Sequence, residues 1–250
     1  MDIYAASHIG MVREENQDAY CVTAVREGVT LAVVCDGMGG AAGGKLAASL
    51  ACEEFVTRFR DSYSSLVGEA PPTEELVHRI YSHAIYHANN AVFEESIADP
   101  TLHGMGTTLT AACIAGGGVY TANVGDSRTY LFRAGGIEQL THDDSLVQLL
   151  VDRGRITEVE AEQKVQKNIL IRALGTDPYV EFGFRFTPLL SDKSSLLLCS
   201  DGLTAYYDEA ALSASLRPQR AAKAVVEELI AGACAAGGRD NITCVYLRDI

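Results

Sequence analysis

Two stretches of this chain end alike. LAVVCDG closes at Asp36–Gly37, and LLLCSDG closes at Asp201–Gly202. Each is an unbroken apolar run, which predicts a strand buried in the core. An Asp at the end of such a run sits where the strand leaves the core. The glycine behind it is expected to let the backbone turn tightly. Asp–Gly is also a common turn dipeptide, so either segment alone fits a plain turn. Other aspartates stand in similar settings. Asp126 follows VYTANVG, Asp240 precedes ITCVYL, and Asp18 lies between REENQ and AYCV.

The rest of the chain supplies a frame for them. Apolar patterning predicts strands at 2–6, 19–25, 30–35, 107–115, 118–124, 128–133, 180–187, 195–199 and 242–247. It predicts helices at 44–60, 73–96, 144–152, 158–164 and 219–235. Strands joined by short turns, as in GGGVYTANVGDSRTYLFR, argue antiparallel pairing. Runs of strands broken by helix pairs predict α+β layers rather than βαβ alternation. The linker candidate SLVGEAPPT (65–73) only separates two helices, so one domain over 1–250 is expected.

Composition narrows the function. Lys and Arg number 20 against 33 Asp and Glu, a formal charge of −13. Such a chain gains nothing from counterion release, which argues against nucleic acid as a partner. Anionic membrane surfaces are disfavoured for the same reason. With 48% apolar residues a large core is available, which excludes wholesale disorder. The seven cysteines form no CxxC pair and several lie in apolar runs. They read as reduced core thiols, not as a zinc site or a disulfide framework. No signal-like N-terminus and no run of about 20 apolar residues is present. A cytoplasmic location is the expectation.

Suppose the aspartates converge. Their mutual repulsion and burial would be costly unless cations neutralised them. An oxygen-only donor set suits Mg²⁺ or Mn²⁺, whereas zinc calls for His or Cys. Two such ions can activate a shared water and clamp phosphate oxygens. Arg13, five residues before Asp18, could fork onto a phosphate. In isolation it reads equally as a surface charge.

The ordered set of motifs is more specific than any one. The chain carries RxxNQD (13–18), DGMGG (36–40), GTT (106–108), GDSR (125–128), RALG (172–175), SDGL (200–203) and GGRDNIT (237–243). Over about residues 3–247 this resembles the PPM or PP2C-type metal-dependent protein Ser/Thr phosphatases in their compact bacterial form. The resemblance implies a four-layer α-β-β-α sandwich, two antiparallel sheets flanked by helix pairs. It implies two core Mn²⁺ or Mg²⁺ ions, with a third, weaker one in bacterial members. Asp36 would bridge the core pair and Gly37 would bind one ion through its carbonyl. Asp201 and Asp240 would hold the other, and Asp126 the third together with Asp201. Asp18 would hold metal-bound water, Asn241 would be structural, and Arg13 would take the substrate phosphate. The implied reaction is direct attack of a metal-bridging hydroxide on phosphoserine or phosphothreonine. Implied partners are phosphorylated proteins, here expected to carry basic flanks, and a Ser/Thr kinase.

Several positions depart from the family pattern. Gln17 is neutral where an acid is common. Met38 stands where some relatives carry a His proposed as general acid. GGAAGGK replaces GGHxAGE, so Ala41 stands for the His and the Glu is lost. DHS becomes Asp143–Asp144–Ser145. A slower enzyme, or a regulatory module that binds phosphoprotein with little turnover, is the alternative. A variable, charged flap is expected at about 152–180. GMGGAAGGKL also mimics two nucleotide motifs. Its GxxxxGK is followed by Leu46 rather than Ser or Thr, and its GxGxxA explains none of the Asp motifs. His83 and His87 lack the Glu of HExxH and read as packing or solvated residues.

Overall fold

A computed structural model describes residues 1–134, 136–157, 160–161, 169–189, 194–216 and 220–250, apart from the side chains of residues 41–42. The chain begins with strands β1 (Asp2–His8), β2 (Asp18–Arg26) and β3 (Val29–Met38), then helices α1 (Gly40–Leu66) and α2 (Glu74–Ala98). A 3-10 turn, Pro100–Leu102, leads to β4 (Gly106–Thr107), β5 (Leu109–Ala115), β6 (Gly118–Val124), β7 (Arg128–Arg133) and β8 (Gly136–Gln139). Next come α3 (Leu146–Asp152), β9 (Gly183–Pro188), β10 (Ser195–Cys199), α4 (Asp201–Thr204), α5 (Glu209–Ser215), α6 (Ala222–Ala235) and β11 (Ile242–Arg248).

The strands form two antiparallel sheets. One runs β1-β11-β10-β7-β8, and the other runs β2-β3-β5-β6-β9 with β4 paired to β3. The apolar runs are unbroken because both faces of the central strands are covered. On β3, Leu31, Val33 and Cys35 face the α1–α2 pair, while Ala32 and Val34 face the other sheet. On β10, Leu197 and Cys199 face the helical layer, while Leu196 and Leu198 face the first set. The layer between the sheets thus contains Ala32, Val34, Ala112, Leu131, Leu196, Leu198 and Val245. The four-layer α-β-β-α order expected from the sequence is the order observed.

Each helix meets its sheet through one stripe. Ala48, Cys52, Phe55, Phe59 and Tyr63 of α1 recur at helical spacing and pack on the β2-β3-β5 sheet. Phe59 meets Tyr81 of α2 edge to face at 5.0 Å. Burying each such aromatic contributes roughly 1.5–3 kcal/mol. Thr73 caps α2 by accepting the Leu76 amide at 3.3 Å. On the opposite side Val226, Leu229 and Ala233 of α6 cover β10 and β11. Among the described residues no helix is long and apolar enough to cross a membrane.

Several boundaries differ from the sequence reading, each for a physical reason. Helix α1 starts at Gly40, not at 44, because GGAAGG is tolerated by close packing described below. The 107–115 strand is broken at Thr108, whose side chain turns inward to accept the Asp36 amide at 3.0 Å. Strand β8 was missed because its four residues are half-buried and polar in part. The short helices α4 and α5 lack a full apolar period and were also missed. The 180–187 strand runs from Gly183 to Pro188, and the 144–152 helix starts at Leu146, capped by Ser145. The expected helix at 158–164 falls mostly outside the described residues, as do residue 219 and the central part of the 152–180 flap. All seven cysteines are free, with only Cys21 and Cys234 partly exposed.

Candidate metal centre

Five element ends meet at one end of the two sheets. Asp18 opens β2, and Asp36 lies near the end of β3, directly opposite it in the strand pairing. Asp126 sits in the turn from β6 to β7. That turn needs Gly125, whose φ is +95°. Asp201 is the first residue of α4, just past β10, and Asp240 precedes β11. Asp36, Asp126, Asp201 and Asp240 line a cavity of about 560 Å³, and Asp18 lies beside it, opposite Asp36. Its wall includes Arg13, Gln17, Asp36, Gly37, Met38, Thr108, Asp126, Leu170, Asp201 and Asp240, with no His or Cys.

The two Asp–Gly pairs are not tight turns. Neither Gly37 nor Gly202 has a positive φ. Both are glycine because another backbone comes too close. A Cβ on Gly37 would lie 2.1 Å from the Gly44 carbonyl oxygen and 2.6 Å from that of Gln17. A Cβ on Gly202 would lie 1.9 Å from the Asn241 carbonyl oxygen. Gly44 in turn makes room for the Gln17 side-chain oxygen, at 2.6 Å from a would-be Cβ. The glycine-rich start of α1 is therefore a packing device, and Lys45 pairs with Glu15 at 3.1 Å.

Electrostatics record the convergence. The Asp36 carboxyl is raised well above the usual range, first by burial and then by Asp18, Asp201, Asp126 and Asp240. Burial pushes Asp126 up to about 8, with Asp201 and Asp143 adding to it. Burial also takes Asp18 and Asp201 up to about 6, with Asp240 adding to both. Hydrogen bonds from Thr243 and Ser200 to Asp18 oppose part of its shift. These residues are half-buried. Asp36, Asp126 and Asp201 line the cleft while protein crowds their other sides, and Asp18 lies beside it. Every such shift reports a charge that the protein alone does not neutralise.

Asp18 is held by groups far away in sequence. Its Oδ2 accepts Thr243 Oγ1 at 2.6 Å and Ser200 Oγ at 2.9 Å. Its Oδ1 is buried with no hydrogen-bond partner. An orphaned acceptor of this kind calls for an ion or water. Ser200 and Thr243 belong to the SDGL and GGRDNIT motifs, and neither motif by itself points to this role. Their signal is only visible once β10 and β11 are paired.

Arg13 reaches the cleft wall and donates to Asp240 Oδ2 at 2.7 Å, with its side chain 54% exposed. That bond, above all, raises its pKa from an already high value. Asn241 is structural, as expected. It accepts the Gln17 amide at 2.8 Å and donates to the Ile9 and Glu15 carbonyls at 2.9 and 3.0 Å. It so fixes the segment that carries Arg13. Asp143 takes Arg128 in a bidentate pair, with Arg128 Nη2 at 2.6 Å. His142 is exposed and pairs with Asp152, and His83 and His87 meet edge to face on α2 at 4.5 Å between ring centroids. These histidines stay out of the cleft.

The donors fit hard divalent ions. They are the carboxylates of Asp36, Asp126, Asp201 and Asp240 around an open cavity, with an orphaned oxygen on Asp18 opposite Asp36. Among the described residues the acids ring the cleft without closing a ready-made cage of three ligands. Such a site leaves ligand positions for water and substrate.

Layers and cleft together define a class, a four-layer sandwich hydrolase with an oxygen-only acidic site. Residues 6–233 match the family described as Protein phosphatase 2C, and the chain belongs to that family. Serine/threonine phosphatase stp of Listeria monocytogenes serotype 4b (strain F2365) is 35% identical over 242 residues, 96% of this chain and 93% of the relative. Serine/threonine phosphatase Stp1 from Staphylococcus aureus superposes with a TM-score of 0.89 at 30% identity, covering 99% of this chain and 95% of that one. The catalytic domain of the serine threonine protein phosphatase PstP, solved in complex with two manganese ions, superposes at 0.80. It is 33% identical, with 98% and 96% coverage.

Proposed function

We propose that this cleft hydrolyses phosphoserine and phosphothreonine in proteins. The observation that carries this reading is the meeting of Asp36, Asp126, Asp201 and Asp240 at one cavity, with Arg13 on its wall and Asp18 paired opposite Asp36. Family membership and the names of the relatives support it. The reading takes residues 1–250 as one domain, a cytoplasmic location, and a Ser/Thr kinase as the source of substrate.

Asp36, the Gly37 carbonyl, Asp201 and Asp240 would hold two Mn²⁺ or Mg²⁺ ions, and Asp126 with Asp201 a third. When bound, the ions supply positive charge at the phosphate oxygens and lower the pKa of water. The chain's own groups do the rest. Asp36 brings charge to the centre of the cluster, where the other four acids surround it. Asp18, fixed by Ser200 and Thr243, keeps one bare oxygen for a water or ion. Arg13 exchanges its Asp240 contact for a phosphate oxygen, since guanidinium forks match phosphate. Thr108 and Ser127, hydrogen-bonded at 2.7 Å, hold the Asp36 backbone in place.

Hydrolysis of a phosphopeptide with Mn²⁺, abolished by EDTA and by Asp36→Asn, is the expected result. Activity that survives EDTA would overturn the reading. Tight phosphopeptide binding without turnover at saturating Mn²⁺ would replace it with a regulatory module.

A further inference from the structure

We propose that Asp144 is a positioning residue that ties the two walls of the cleft together. One wall is the turn carrying Gly125 and Asp126. The other is the segment 169–175, whose Leu170 lines the cavity. Asp144 lies between them, its side chain only 9% exposed. Its Oδ1 accepts Arg172 Nη1 at 2.6 Å, and its Oδ2 accepts the Gly125 amide at 3.2 Å. One carboxylate therefore touches both walls.

The backbone repeats the connection. The Asp144 amide donates to the Gly125 carbonyl at 2.9 Å, and the Ile171 amide donates to the Asp144 carbonyl at 2.8 Å. Ser145 and Leu170 form an antiparallel bridge. At its far end the segment is pinned again. Thr107 and Leu174 exchange amide bonds of 3.0 and 2.8 Å, and the Gly175 amide reaches Asn89 Oδ1 at 2.9 Å. Among the described residues only Asp144 offers Arg172 a short charged contact, since Glu181 stands at 3.4 Å and is 82% exposed.

The consequence runs to Asp126. Its neighbour Gly125 holds a left-handed backbone, and Asp144 fixes that residue's amide. On the other side Arg128 is locked by Asp143. Asp126 is so bracketed by two carboxylate-anchored residues.

The kinetic part of the test rests on the phosphatase reading, and the other two parts do not. In metal-free Asp144→Ala, hydrogen exchange at Gly125 and at residues 169–172 is expected to quicken about tenfold. The dissociation constant for Mn²⁺, read from the free-ion EPR signal, is expected to rise about tenfold, as for lost outer partners of metal ligands. The KM for a phosphopeptide rises too, while kcat on p-nitrophenyl phosphate at saturating Mn²⁺ stays within about twofold. Arg172→Ala cuts one arm only, so it raises the peptide KM and leaves Mn²⁺ binding unchanged. Asp144→Asn, which keeps an acceptor for Gly125, restores Mn²⁺ binding but not the peptide KM. Unchanged exchange and Mn²⁺ affinity in Asp144→Ala would overturn the clamp. So would equal losses in all variants that merely follow a lower Tm. If the wild type shows no metal-dependent turnover, the phosphatase reading falls, and exchange with Mn²⁺ binding still decides the clamp.

Discussion

The two Asp–Gly ends are near twins in sequence and different in structure. Asp36 stays inside a strand that runs on to Met38, with Gly37 pressed against the start of α1. Asp201 begins a helix immediately after Ser200, with Gly202 pressed against Asn241. The shared element is the approach of a second backbone. In both, the glycine lets that backbone lie where a side chain would be, and the Asp is brought to the cleft by the strand before it. The difference is company. Burial leads at both, but Asp36 then feels Asp18, Asp201, Asp126 and Asp240, whereas Asp201 is raised further by Asp240 and eased by Arg13 and Arg128.

The largest expected effect tests that difference. Asp36→Asn should lower kcat/KM by several kcal/mol of transition-state stabilisation, about 1000-fold. Asp201→Asn should cost less. Steady-state kinetics across a Mn²⁺ titration checks the order, and equal losses would erase the distinction.

The glycines come next. Gly37→Ala and Gly202→Ala each force a Cβ onto a carbonyl oxygen, an overpacking of about 3 kcal/mol. Gly28→Ala has open space around it and only a left-handed φ of +73° to strain. It should cost about 1 kcal/mol. Urea unfolding of the three variants reads the contrast directly. A mild Gly37→Ala would return that residue to the ordinary turn first expected.

Thr243→Val removes the shorter hydrogen bond to Asp18. It should raise the Asp18 pKa, since that bond lowers it, and weaken Mn²⁺ binding about tenfold. Calorimetric titration is the measurement. The same change should leave the Asp201 side of the cleft nearly untouched.

The smallest effect is on stability against pH. Asp18, Asp126 and Asp201 have folded pKa values above the ordinary carboxylate value. The folded, metal-free protein thus holds protons that the unfolded chain releases. Its extra stability is present below pH ~4 and is lost as pH rises through about 6 to 8. Scanning calorimetry of chelated protein should show Tm falling by about 2–4 °C per kcal/mol lost on going from pH 5 to 8. Saturating Mn²⁺ should reverse the slope, and a flat profile without metal would contradict the repulsion among these acids.

Much of this was legible before any coordinates. The central strands announce themselves because both faces are buried, so β6, β7 and β10 match their expected limits. The seven expected site residues all reach the same end of the sheets. What was hidden depends on pairing between distant segments. Ser200 and Thr243 lie 182 and 225 positions from the Asp18 they hold, and a hydroxyl carries no periodic signal. The tight-turn reading of Gly37 and Gly202 failed because a sequence shows a residue's φ freedom, not what packs on it. β8 failed because a short, half-buried edge has no clear alternation.

One pairing described above reaches beyond catalysis. Asp18 and Asp36 face each other across adjacent strands, and like charges there push the strands apart. β2 is also the outer strand of its sheet. Divalent cations held there would thus be a seam closing one open edge of that sheet. Starved of them at neutral pH, the protein is expected to scatter light on standing, and Asp18→Asn should make it keep better than the wild type.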